Sequence, residues 1–88
     1  MNKDDFEIAS KVLASKHRTN ILIELLEGPK TPTELANSFE EHQPTISRAL
    51  SELKKLKLVE STSQARGRLY WITEEMEHIA TYIRDREK

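Results

Sequence analysis

Residues 43–57 read QPTISRALSELKKLK, and they hold the side chains best suited to chemistry on another molecule. Ile46, Ala49, Leu50, Leu53 and Leu56 recur at i, i+3, i+4, i+7 and i+10, which lays one apolar stripe along an α-helix. At about 100° of turn per residue, the opposite side holds Pro44, Arg48, Ser51 and Lys55. Thr45, Ser47 and Glu52 lie on its flanks. That outward side is short, polar and cationic. It suits a DNA major groove, where arginine is matched to a guanine edge and small hydroxyls let the backbone come close. Any surface helix has a polar outer face, so the elements around this one decide what it faces.

Other chemistries find little support. There is no cysteine, which removes disulfides, thiolate metal sites and cysteine nucleophiles and fits a reducing, cytoplasmic setting. No glycine-rich phosphate loop is present, and no serine has a histidine and an acid at a recognisable spacing. His17, His42 and His78 match no chelating pattern. Neither an enzyme nor a cofactor is expected. No apolar run approaches the ~20 residues that span a membrane, and the acidic start MNKDDFE lacks a signal-peptide core.

The chain has 88 residues and a formal net charge of −1. One domain is expected, with a modest core for which dimerisation is a common remedy. The near-zero charge counts against a general nucleic-acid binder. Its distribution favours a local one. From His42 to Tyr70 stand six cations, Arg48, Lys54, Lys55, Lys57, Arg66 and Arg68, against two anions, Glu52 and Glu60. The rest of the chain is therefore acidic, and a basic face on an acidic body binds phosphate locally.

The positioning elements follow from periodicity and punctuation. Residues 4–14 predict a helix with Phe6, Ala9, Val12 and Leu13 on one face. Residues 17–26 predict a second, ended by Gly28-Pro29. Thr31, Pro32 and Glu34 make the N-cap, first position and capping partner of a short third helix with Leu35, Ala36 and Phe39 inward. Residues 40–42 form a turn into the 43–57 helix, which is a helix-turn-helix arrangement over 32–57. Residues 58–62 and 68–72 predict the strands of a β-hairpin over 58–72. Thr73 is read as the cap of a last helix over 74–87, with Met76, Ile79, Ala80 and Ile83 as a narrow apolar seam.

This order, α-α-α-α-β-β-α, is mainly α with a small β-hairpin and resembles the winged helix-turn-helix domains of prokaryotic regulators, the ArsR-like group especially. The resemblance is carried by His17-Arg18-Thr19-Asn20-Ile21-Leu22, by Thr33-Glu34-Leu35-Ala36, by Gln43-Pro44-Thr45-Ile46-Ser47-Arg48-Ala49-Leu50, and by Gly67-Arg68-Leu69-Tyr70-Trp71-Ile72-Thr73. It covers nearly all of residues 1–88 as one domain. It implies a double-stranded-DNA-binding transcriptional regulator that works as a homodimer on a roughly palindromic operator. Three positions depart from the family pattern. Glu40 and Lys57 stand where glycine is common, and His42 stands where a serine-like cap is usual. A non-glycine residue at positive φ is strained, so these two turns either carry strain or take another shape.

On this frame Gln43, Thr45, Ser47, Arg48 and Ser51 are expected to meet the groove. Lys54 and Lys55 are expected to meet phosphate, and Arg66 and Arg68 to act through the wing on the minor groove or the backbone. The terminal helices, over 1–14 and 73–88, are expected to build the dimer through Phe6, Ala9, Val12, Leu13, Met76, Ile79, Ala80, Tyr82 and Ile83, with an outward Trp71 beside them. Glu74, Glu77 and His78 share a helix face that faintly resembles the metal site of some ArsR-like dimers; dipole compensation accounts for the acids, and no metal is assigned. A winged-helix module that binds protein rather than DNA is the alternative, favoured by the acidic balance. Nothing names a small-molecule effector.

Overall fold

The computed structural model describes residues 1–64 and 67–87. Helix α1, Lys3–Leu13, starts at a reciprocal cap: Asn2 Oδ1 accepts from the Asp5 N–H at 2.8 Å and Asp5 Oδ2 accepts from the Asn2 N–H. Helix α2, Lys16–Leu25, is capped by Ser15 Oγ, which accepts from the Arg18 N–H. Helix α3, Pro32–Phe39, carries the expected capping box between Thr31 and Glu34. Helix α4, Gln43–Lys55, follows after a three-residue turn. Strands β1, Val59–Gln64, and β2, Gly67–Ile72, pair antiparallel with Val59 opposite Ile72 and Ser61 opposite Tyr70. Helix α5, Glu77–Arg86, closes the chain. This is the winged-helix order.

Both departures from glycine keep glycine-like geometry. Glu40 sits at φ 52° and Lys57 at φ 65°. Each ends a helix in the same way: the Glu41 N–H reaches the Ala36 carbonyl at 2.9 Å, and the Leu58 N–H reaches the Leu53 carbonyl at 3.1 Å. These bonds satisfy carbonyls that the helix end would otherwise leave open, and that gain holds two side-chain-bearing residues in the left-handed region.

The core is a single cluster. Ile46, Ala49, Leu50 and Leu53 of α4 are buried against Ile21, Leu22 and Leu25 of α2, Leu35 of α3 and Val59 of β1. Each fully buried leucine or isoleucine contributes about 2 kcal/mol of hydrophobic stabilisation. The one buried polar residue among those described, Thr19, donates its hydroxyl to the Val12 carbonyl at 3.0 Å and so joins α2 to α1.

Several expectations are corrected here. Ile79, Ala80 and Ile83 of α5 and Val12 of α1 are 0% exposed, and Ala9 is 2% exposed, within a single chain. A domain this small needs its terminal helices to complete its own core, so these five side chains offer no surface to a second copy. Phe6, at 47% exposed, with Leu13, Met76 and Tyr82, retains accessible surface. Trp71 is half-buried, lining a shallow groove with Leu25, Leu26, Gly28 and Pro29. Thr73 does not cap α5. Its hydroxyl donates to the carbonyls of Lys57 and Leu58, and Glu74–Met76 form a 3-10 turn before α5 begins. Lys30 adds a single antiparallel bridge to Tyr70, with N–H to carbonyl bonds of 3.0 and 2.9 Å, which widens the hairpin into a third, one-residue strand. No helix among the described residues is long and apolar enough to cross a membrane.

Candidate nucleic-acid interface

Helix α4 is about 20 Å long at 1.5 Å per residue, and one side of it is buried along its whole length. The stripe fixes its rotation, so Gln43, Pro44, Ser47, Arg48, Ser51, Lys54 and Lys55 are exposed while Thr45 is half-buried. The outward face inferred from periodicity is the one presented to solvent. Among the described residues, Arg48, Ser47, Ser51 and Lys55 make no side-chain hydrogen bond or ion pair, so their donors are free for an external ligand.

Gln43 is differently placed. Its amide donates to Thr33 Oγ1 at 2.6 Å and so clamps α4 to α3 across the turn. One amide N–H and the carbonyl oxygen remain for an external partner. His42 makes no side-chain cap, as its departure from serine implied. Pro44 partly offsets this, because its missing N–H is one fewer unpaired donor in the first turn.

Glu52, on the flank of α4, accepts from Arg18 Nη1 at 3.1 Å. The same guanidinium donates to the Lys11 carbonyl through Nε at 3.1 Å and Nη2 at 2.6 Å. One arginine thus joins the ends of α1 and α2 to the side of α4. It removes the main anion on α4 from the outward face and leaves that face cationic.

The hairpin stands beside the C-terminal half of α4. Lys54 Nζ lies 3.0 Å from Ser61 Oγ, and Arg68 Nη1 lies 3.3 Å from the same oxygen. Ser61 is a member of this cluster that sequence reasoning missed. It is one of three consecutive hydroxyl residues, Ser61, Thr62 and Ser63, and nothing in their pattern sets it apart. Arg66 lies outside the described residues. Of the suggested metal face, His78 Nε2 instead lies 3.1 Å from Asp5 Oδ2 on α1, and among the described residues no three histidine or acid side chains cluster as metal ligands.

The sequence matches the family model described as HVO_A0261 N-terminal domain over residues 7–85. The chain belongs to this family. No curated protein sequence matches it. Solved structures share the fold of this HVO_A0261-type domain. Reduced HlyU from Vibrio cholerae superposes at TM-score 0.78 with 24% identity, over 90% of this chain and 84% of that one. The adhesin competence repressor AdcR from Streptococcus pyogenes gives TM-score 0.75 and 22% identity, over 83% of this chain and 57% of that one. A ZitR mutant from Lactococcus lactis in complex with DNA gives TM-score 0.69 and 23% identity, over 76% and 48%. The HVO_A0261-type domain therefore spans about half the length of AdcR and ZitR, and the likeness at these identities is one of fold.

Proposed function

We propose that this domain is a sequence-specific, double-stranded-DNA-binding transcriptional regulator of the ArsR-like kind. It acts in the cytoplasm as a homodimer on a roughly two-fold operator. The observation that carries this reading is the exposed face of α4, where Ser47, Arg48, Ser51 and Lys55 face solvent and have no side-chain partner among the described residues. A helix of this size with an arginine at its centre matches the donor and acceptor pattern of the major groove. The fold shared with a repressor and with a protein bound to DNA supports the same reading. Lys55 would meet backbone phosphate, and the hairpin would lie against the backbone or minor groove as a wing. The homodimer draws on the surface left at the terminal helices, where the Phe6 ring stands edge-on to Tyr82 with centroids 5.7 Å apart and Phe6 is half-exposed. Aromatic residues are enriched at interfaces. Occupancy of the operator by two α4 helices would block or recruit polymerase.

Selection of bound duplexes from a random pool by the purified protein tests the proposal. A recovered palindrome supports sequence reading and two-fold symmetry together. Failure to retard any duplex at low salt overturns it and leaves a protein-binding winged helix. Sedimentation at tens of micromolar tests the dimer separately, and a monomer mass overturns that part.

A further inference from the structure

Helix α4 and the wing meet at one oxygen atom. Lys54, in the last turn of α4, and Arg68, on β2, both reach Ser61 Oγ on β1, at 3.0 and 3.3 Å. The hairpin register pairs Ser61 with Tyr70 and Ser63 with Arg68. Ser61, Ser63 and Arg68 therefore project from one face of the ladder, and Arg68 is the diagonal neighbour of Ser61. Two cations from different elements converge on a neutral hydroxyl, which balances the charge of neither. The nearby acid is Glu60, with Oε1 4.0 Å from Lys54 Nζ. It belongs to the opposite face of β1 by strand alternation. Counting it, the cluster keeps one uncompensated positive charge among the described residues. Ser61 accepts from both cations, and among the described residues its own hydroxyl proton meets no acceptor.

We propose that Lys54, Ser61 and Arg68 form one seat for a DNA backbone phosphodiester, bridging α4 and the wing. A phosphodiester carries one negative charge, which equals the excess. Its two free oxygens accept from an ammonium, a guanidinium and a hydroxyl at once. This inference rests on the DNA-binding reading above and adds two things to it. It makes Ser61 a contact residue, and it assigns Arg68 to the backbone rather than to the minor groove. Lys54 lies six residues beyond Arg48, about 9 Å along the helix axis. A phosphate held there sets how far α4 slides along the groove, and so positions Arg48 without reading sequence itself.

Affinity for the selected duplex across a salt series tests the seat, using wild type, Lys54→Gln, Arg68→Gln, the double variant and Ser61→Ala. If the two cations share one phosphate, the double variant flattens the log–log salt slope by about one unit; two separate phosphates would give about two. Ser61→Ala removes no charge, so it should weaken binding by up to about tenfold with the slope unchanged. A set of duplexes, each carrying one uncharged methylphosphonate, locates the site. One position should cost the wild type affinity and cost the double variant nothing. A slope change of two units, or no such position, overturns the seat while Arg48-dependent specificity leaves the DNA reading standing. Absence of binding to every duplex overturns both.

Discussion

Arg18 on α2 and Glu52 on α4 are joined at 3.1 Å, and the same guanidinium holds one carbonyl in the last turn of α1, the Lys11 oxygen. The planar fork of arginine makes all three bonds to these two acceptors at once, which a lysine ammonium on a flexible stem does not. Arg18→Ala should therefore lower stability by about 1–2 kcal/mol. Glu52→Gln keeps both bonds to Lys11 and should cost about 0.5 kcal/mol, since Glu52 is partly exposed and screened. Urea midpoints decide the order. A larger loss for Glu52→Gln would show that the ion pair, not the anchoring of α1, carries the stabilisation.

Glu40 and Lys57 hold positive φ without being glycine. The left-handed region costs an ordinary residue roughly 1 kcal/mol, and glycine escapes this while losing more freedom on folding. Glu40→Gly and Lys57→Gly should each raise stability by up to about 1 kcal/mol, read as a higher urea midpoint. A lower midpoint for Glu40→Gly would mean that the turn is not strained there.

The contrast between α4 and α5 explains what could be read from the sequence. Periodicity identifies an apolar face, and in α4 the face could only turn inward because a basic face opposed it. In α5 the seam of Ile79, Ala80 and Ile83 is equally plain, but periodicity does not say which surface covers it. The chain's own α1 and α2 do. Thr31 and Glu34 are legible because a capping box needs only local spacing. Thr73 looks like a cap by the same logic, yet the carbonyls of Lys57 and Leu58 compete for its hydroxyl, and they come from a distant turn. The Lys30–Tyr70 bridge has no period to detect, and Ser61 acquires meaning only from Lys54 and Arg68 brought to it by the fold.

Asp5 ties the N-terminus of α1 to α5. The hydrogen bond from His78 at 3.1 Å, and that from the Asn2 backbone N–H, hold its carboxyl below the ordinary carboxylate range. The unfolded chain binds the proton more tightly, so this stabilisation is fully present above about pH 4 and disappears as pH falls through the lower folded value. Asp5→Asn should lower the urea midpoint at neutral pH and converge on wild type in acid. A gap that persists unchanged at low pH would assign the effect to packing rather than to the carboxylate.

Arg48 occupies the centre of the exposed face of α4, between Ser47 and Ser51, with no partner among the described residues. Lys55 shares that face about two turns further from the start of the helix, and lysine meets phosphate as a point charge without distinguishing bases. The two should therefore separate by their effect on specificity. A bidentate arginine–guanine pair discriminates against the wrong base by about 1–3 kcal/mol. Arg48→Ala should weaken binding to the selected duplex by roughly that amount and leave binding to unrelated duplexes nearly unchanged. Lys55→Ala should weaken both alike and reduce the salt slope by about one unit. Competition titrations with selected and scrambled duplexes measure both ratios. Equal losses on the two duplexes for Arg48→Ala would move Arg48 from base edge to backbone, and would require another residue of α4 to read the sequence.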